Sequence, residues 1–262
     1  MESLPAFLPP GTLGAFGLYL LRTSAMVLTA PIFGTGTSFS MHRIALIIAL
    51  AFVLYTTSGS PLPAAPSPFE FGALAGREVL IGVALGFVLV LVALAVRVGG
   101  ELIGQEMGFS MAAQIDPQTG VNLPLIAQIQ DGLFLIGFLS VDGHHWLIRA
   151  LSSSFERAPV GHIGGTAQLS SAIETLFTQM FSAGLVFAAP VMVLLFLVSL
   201  MIALIGRAVP QINLMDISFT LRILGALLAM YAFAPMTAPA MERLYGAVQT
   251  GLASVLGALQ PV

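Results

Sequence analysis

The sequence predicts an all-α protein built into a membrane, and three observations predict it. Of 262 residues, 57% are hydrophobic and 8% charged, with a mean hydropathy of +0.98. A soluble domain carries about 25% charged residues, so this chain could not clothe a water-facing surface. Its apolar residues form long runs with no strand-period alternation. Prolines and glycines, rather than charges, punctuate those runs.

Taken in order, the first apolar helix spans about Leu13–Ala30 with Arg22 inside, and Pro31 and Gly34/Gly36 stop it. The second spans about Ile44–Thr57. At 1.5 Å per residue it is about 21 Å long, short of the ~30 Å hydrocarbon core. Ser58–Pro68 (SGSPLPAAPSP) is an uncharged, proline-rich break. The third helix, about Phe71–Val96, carries Arg77 and Glu78 near its start. Its Gly72/Gly76 and Gly82/Gly86 pairs are spaced for close approach of two helix backbones.

A polar island follows, Gly99–Pro124 (GGELIGQEMGFSMAAQIDPQTGVNLP). A fourth helix, about Leu125–Leu139, contains Asp131 and resumes after Gly143 as His144–Leu151. Ser152–Gly165 reads as a Ser/Gly-rich connector. Thr175–Gly206 carries no charge, and Pro190 is expected to kink it into two stacked pieces. After Gly206–Phe219 come helices at about Thr220–Phe233, with Arg222, and Ala240–Leu259. At this length the chain, residues 1–262, reads as a single domain or bundle. The first residues, MESLPAFLPPGTLG, do not read as a standard signal peptide, since Glu2 and no basic residue precede the apolar run.

Six lipid-facing spans fit this sequence poorly. Arg22, Glu78, Asp131 and Arg222 fall within or at the ends of spans. An ionised residue at the bilayer centre costs at least ~2.5–3.5 kcal/mol, so such residues face protein or water. Basic residues in alternate loops also choose no orientation. Arg77, Arg149, Arg157 and Arg243 stand on one side, and Arg43, Arg97 and Arg207 on the other. Mixed helix lengths, charged spans and no orientation bias fit a subunit that packs mainly against other proteins; the alternative is an ordinary polytopic protein with a few snorkelling arginines.

Several chemistries are excluded. Without cysteine there is no disulfide, thiolate nucleophile or cysteine metal site. There is no H-E-x-x-H motif, phosphate-binding loop or dinucleotide fingerprint. Gly108-Phe109-Ser110 begins like a nucleophile elbow, but Ala112 stands where glycine is required and no strand precedes it. His144 and His145 are adjacent, so on a helix they point about 100° apart and cannot both bind one metal without a bend; they read as interfacial residues beside Trp146, and no metal site is expected. The net charge of −3 carries no basic cluster for nucleic acid. No cofactor is expected, nor an enzyme. Asp131 and Glu78 leave two readings open: a proton-coupling carboxylate in a membrane carrier, or a partner for Arg77, Arg97 or Arg222.

Two stretches carry more information. Gly100, Gly104 and Gly108 recur every four residues and form one helix face suited to close packing. Arg97 and Glu101 are spaced as an i,i+4 pair. Phe109 and Met111 lie where the helix gives way to the Asp116-Pro117 turn, either as a flexible apolar plug or as core residues. In Arg207–Asn213 (RAVPQIN), Pro210 ends the helix, while Gln211 and Asn213 need hydrogen-bond partners at membrane depth or its edge, either in a break buried in protein or lining water, or in a plain surface connector.

These stretches, with Ala30–Ile32 (API), Asn122–Pro124 ahead of the Asp131 helix, and Gly143–Ile148 (GHHWLI), resemble the FliR family of flagellar export-gate proteins and its injectisome counterparts. The resemblance covers nearly the whole chain and is most specific in Gly100–Pro117 and Arg207–Asn213. It implies a non-enzymatic subunit whose helical hairpins resemble FliP and FliQ joined in one chain, packed in a hetero-oligomeric helical shell. It implies FliP, FliQ, FlhB and FlhA as partners, unfolded export substrates in transit, and a place in the bacterial inner membrane at the flagellar basal body. It maps a plug or constriction loop onto Met107–Pro117, namely Met107, Gly108, Phe109, Ser110, Met111, Gln114, Asp116 and Pro117. Met111 and Gln114 stand where bulkier apolar groups are common in the family. It also makes Arg207, Pro210, Gln211 and Asn213 a subunit-contact motif.

Overall fold

The structure, a computed structural model, describes residues 11–34, 41–59, 61–62, 66–107, 125–162, 168–208 and 214–259. Among them the regular elements are helical: α1 (Thr12–Thr29), a 3-10 turn (Pro31–Phe33), α2 (Met41–Ser58), α3 (Pro68–Glu106), α4 (Leu125–Ser140), α5 (Gly143–Arg157), α6 (Leu169–Ala208) and α7 (Leu214–Ala258).

Local chemistry sets the helix ends. Gly11 precedes α1 at φ +90°, and a Cβ there would lie 2.7 Å from the Leu62 carbonyl oxygen. Ala30 ends α1 in an extended conformation, the one that a following proline imposes. At the start of α3, Ser67 and Glu70 form a capping box. The Ser67 amide donates to Glu70 Oε2 at 2.8 Å, and the Glu70 amide to Ser67 Oγ at 3.3 Å. Pro68 occupies the first helical position, where its missing N–H costs nothing.

Several helices run further than their apolar patterns predict, and α5 continues through Ser152–Arg157, the start of what reads as a connector. With 18 residues, α2 is about 27 Å long, close to the bilayer core. The helix α3 does not stop near Val96 but continues through Gly99–Glu106. Glu101, Gln105 and Glu106 are polar yet good helix formers, so the change in polarity is not a break. Pro190 lies inside one continuous 40-residue α6, about 60 Å long. In α7, Pro235 and Pro239 lie inside the helical run, which divides into Thr220–Pro235 and Thr237–Ala258. Among the described residues, four helices are long and apolar enough to cross a membrane, or up to six if each of two broken helix pairs is one span.

The chain divides into two compact units. Met1–Val90, Asp142–Phe177 and Val248–Val262 make the first. In it, Ala15, Leu18, Leu62 and Leu74 form a buried cluster with Tyr55 and Phe71 at its margin. Gly82 and Gly86 of α3 face α1 directly. A Cβ on Gly82 would collide with the Arg22 carbonyl oxygen, and one on Gly86 would lie 2.9 Å from that of Met26. Gly72 and Gly76 have the same spacing and no neighbour within 4 Å. The amphipathic helix α5 buries Leu147, Ala150, Leu151, Ser154 and Phe155 and leaves Arg149 and Glu156 exposed, the helical period expected of a packed face.

Leu91–Val141 and Thr178–Ala247 make the second unit. Its core joins the end of α3 to α4, α6 and α7 through Ile103, Met107, Ile126, Leu195 and Ala226. Phe134, Phe138 and Tyr245 form an aromatic cluster, and the Tyr245 hydroxyl donates to the Phe134 carbonyl at 3.2 Å. Gly184 of α6 packs on Ala95 of α3, where a Cβ would lie 2.6 Å from the Ala95 carbonyl oxygen.

Candidate functional site

The described part of the polar island is helix-end and core. Gly100 lies against α4, where an added Cβ would be 2.6 Å from both Ala127 Cα and Gln130 Oε1. Gly104 is buried, Glu101 half-buried and Gln105 exposed. Met107, taken as the first residue of the loop, is buried in the core of the second unit. Gly108, Phe109, Ser110, Met111, Gln114, Asp116 and Pro117 lie outside the described residues, as do Pro210, Gln211 and Asn213. Arg207 is exposed in the last turn of α6, where a cation complements the helix dipole.

The ionisable residues have specific neighbours. Arg22 Nε and Nη2 donate to Glu78 Oε2 at 2.6 and 2.5 Å, and neither side chain is exposed. Arg22 Nη1 donates to Ser154 Oγ at 3.1 Å and Nη2 to the Ala158 carbonyl at 2.8 Å, the unpaired acceptor at the end of α5. The Phe155 ring lies 4.2 Å from the guanidinium and stacks on Tyr19. Arg77 Nη1 donates to Glu78 Oε1 at 2.9 Å and to the Pro159 carbonyl at 3.2 Å. One carboxylate and two arginines thus tie α1, α3 and the end of α5 together.

Arg97 donates to Asp131 Oδ2 through Nε at 2.7 Å and Nη2 at 2.5 Å. Its i,i+4 neighbour Glu101 therefore does not take the guanidinium: the carboxylate on α4 offers two bonds from one rigid fork. Asp131 Oδ1 and Gln130 Oε1 are shielded and without a hydrogen-bond partner among the described residues, as is Arg222 Nε. Also within the second unit, a cavity of about 310 Å³ opens between α6 and α7. Val186, Pro190, Phe233 and Thr237 line it, and Arg243 is its charged wall residue.

Two features escaped the reading of the sequence. The Ser67–Glu70 capping box is legible as S-x-x-E ahead of an apolar run. The Asp142, His144 and His145 side chains also come together, with His145 Nδ1 3.5 Å from Asp142 Oδ1. Helical directions about 100° apart argue against the two histidines sharing one metal without a bend, yet their ring centroids are 4.1 Å apart.

Among the described residues, much of the apolar surface of α6 is uncovered. Val186, Phe196, Met201 and Leu204 of α6 are 60–70% exposed. The family described as "Bacterial export proteins, family 1" matches residues 13–248. The chain belongs to this family. It is 34% identical to the flagellar biosynthetic protein FliR of Escherichia coli (strain K12) over 243 residues, 92% of each chain. It is 35% identical to FliR of Bacillus subtilis (strain 168) over 212 residues, 80% of this chain and 82% of the relative. A more distant relative is the surface presentation of antigens protein SpaR of Shigella flexneri, 25% identical over 155 residues, 59% of this chain and 60% of the relative. Over the described residues this member of the family is built of long, apolar helices.

Proposed function

We propose that this chain is a non-enzymatic subunit of the type III protein export gate of the bacterial flagellum, in the inner membrane at the basal body. It assembles with counterparts of FliP and FliQ, alongside FlhB and FlhA, into the channel through which unfolded flagellar subunits leave the cell. Its whole length, 1–262, acts as one export-gate domain. The observation that carries this reading is its family membership over residues 13–248, joined to FliR relatives matched over most of their length.

The geometry supports an assembled subunit. A 40-residue α6 is about 60 Å long, roughly twice the hydrocarbon core. Lipid covers at most about half of such a helix, and its exposed apolar residues beyond that need protein neighbours. The pairing of Asp131 with Arg97 favours a structural ion pair over a proton-coupled carrier. In this reading Met107–Pro117 is the plug or constriction, the glycines at 100, 104 and 108 let helices close on it, and Arg207, Pro210, Gln211 and Asn213 contact a neighbouring subunit. FliR relatives match at higher identity and coverage than SpaR, which places flagellar use ahead of injectisome use.

Co-expression with the FliP and FliQ counterparts from the same genome tests the proposal. The tagged chain should co-purify in a large hetero-oligomer visible by electron microscopy, and its deletion should abolish flagellar export. A chain that purifies alone and transports solute in liposomes would overturn the reading.

A further inference from the structure

The start of α5 brings together three ligand-bearing side chains that the export role leaves unused. Asp142 precedes the helix at φ +58° and makes no side-chain cap bond. An aspartate before a helix ordinarily accepts from the amides of the first turn. Here its Oδ1 instead faces His145 Nδ1 at 3.5 Å. The His144 ring lies beside that of His145, with centroids 4.1 Å apart. One ligand atom from each of the three residues lies within 4.8 Å of the others.

These dimensions suit a small divalent ion. Zinc sits about 2.0–2.1 Å from imidazole nitrogen and about 2.0–2.2 Å from carboxylate oxygen. Tetrahedral geometry then separates neighbouring ligand atoms by roughly 3.3–3.5 Å. The Asp142–His145 edge already has that length, at 3.5 Å. His145 and Asp142 are 53% and 72% exposed, so modest rotamer changes bring the third ligand in. His144 Nδ1 is shielded and makes no hydrogen bond among the described residues. A shielded ring nitrogen without a partner is uncompensated, and a turn about χ2 frees it for a ligand bond.

We propose that Asp142, His144 and His145 bind one divalent transition-metal ion of the zinc class, with the fourth position held by water. Two imidazoles and one carboxylate select zinc, nickel or copper over magnesium and calcium, which take all-oxygen sites. The bound ion stiffens the first turn of α5, where Asp142 leaves the helix uncapped.

The test uses the full-length chain, purified in detergent without a polyhistidine tag and stripped with a chelator. Added Co²⁺ should give the visible absorption of a four-coordinate site at one ion per chain, and Zn²⁺ should displace it. His144→Gln, His145→Gln and Asp142→Asn should each weaken Zn²⁺ binding by more than the about 10–100-fold that loss of an outer-shell partner costs. His42→Gln and His162→Gln should leave it unchanged. A second readout needs no variant: Zn²⁺ should protect His144 and His145, but not His42 and His162, from diethyl pyrocarbonate. Equal metal uptake by wild type and a His144→Gln/His145→Gln double variant, or equal modification of all four histidines with and without Zn²⁺, would overturn the proposal.

Discussion

Arg22 and Glu78 meet inside the first unit with neither side chain exposed, joined by bonds of 2.5 and 2.6 Å from one carboxylate oxygen. The other Glu78 oxygen takes Arg77, and the remaining Arg22 donors take Ser154 and the end of α5. Every strong group in the knot has a partner, the condition under which buried charge is tolerated.

Removing Glu78 leaves the buried Arg22 guanidinium uncompensated, whereas removing Arg22 leaves Glu78 its bond to Arg77. Glu78→Ala should lower stability by about 3–5 kcal/mol and Arg22→Leu by less, because Arg77 still holds Glu78, while Arg22→Met with Glu78→Leu should cost less than the sum of the two. Thermal unfolding of the detergent-purified chain compares them. If the double variant is as unstable as the sum of the singles, the two groups do not act as a pair.

The glycine pairs of α3 separate by position rather than by spacing. Gly82→Ala places a methyl group against the Arg22 carbonyl and should destabilise the chain by about 1–3 kcal/mol, the usual cost of overpacking. Gly76→Ala meets open space and should be neutral or stabilising by up to about 1 kcal/mol through helix propensity. Equal melting temperatures for the two variants would contradict the close approach of α1 and α3.

Arg97→Gln and Asp131→Asn should have matching, modest effects on export, because each breaks the same partly exposed pair, worth about 1 kcal/mol or less. Secretion assays on cells carrying each variant decide between pairing and proton coupling. Export stopped by Asp131→Asn but unaffected by Arg97→Gln would mean that the carboxylate acts by itself.

If Met107–Pro117 is the constriction, as we propose, Phe109→Gly and Met111→Gly should let the closed gate leak small ions while export continues, because flexible apolar side chains suit a seal. Ion flux into cells that lack export substrate measures this. Tight gates with normal secretion in both variants would place the seal elsewhere.

The sequence by itself determined the class of the molecule. Low charge and long apolar runs leave helices in or against a membrane as the stable solution, because backbone groups there must be satisfied within each helix. The order of elements was legible for the same reason. Motif residues also carried the family, since Gly100–Pro117 and Arg207–Asn213 combine glycines, amides and a proline that apolar spans do not require.

Tertiary structure decided the rest. Helix limits at Glu106 and across Pro190 depended on packing that outweighs glycine and proline penalties, which local pattern does not report. The partner of Arg97 was a choice between a half-buried neighbour one turn away and a carboxylate on α4, and geometry gave it to Asp131. Gly72/Gly76 and Gly82/Gly86 are identical as patterns, yet only the second pair meets α1. Close approach is a property of two surfaces, and one strip of sequence encodes one of them. His144 and His145 show the same limit: helical spacing set their directions apart, while the rotation of their rings, a side-chain freedom that spacing does not encode, brought them together beside Asp142.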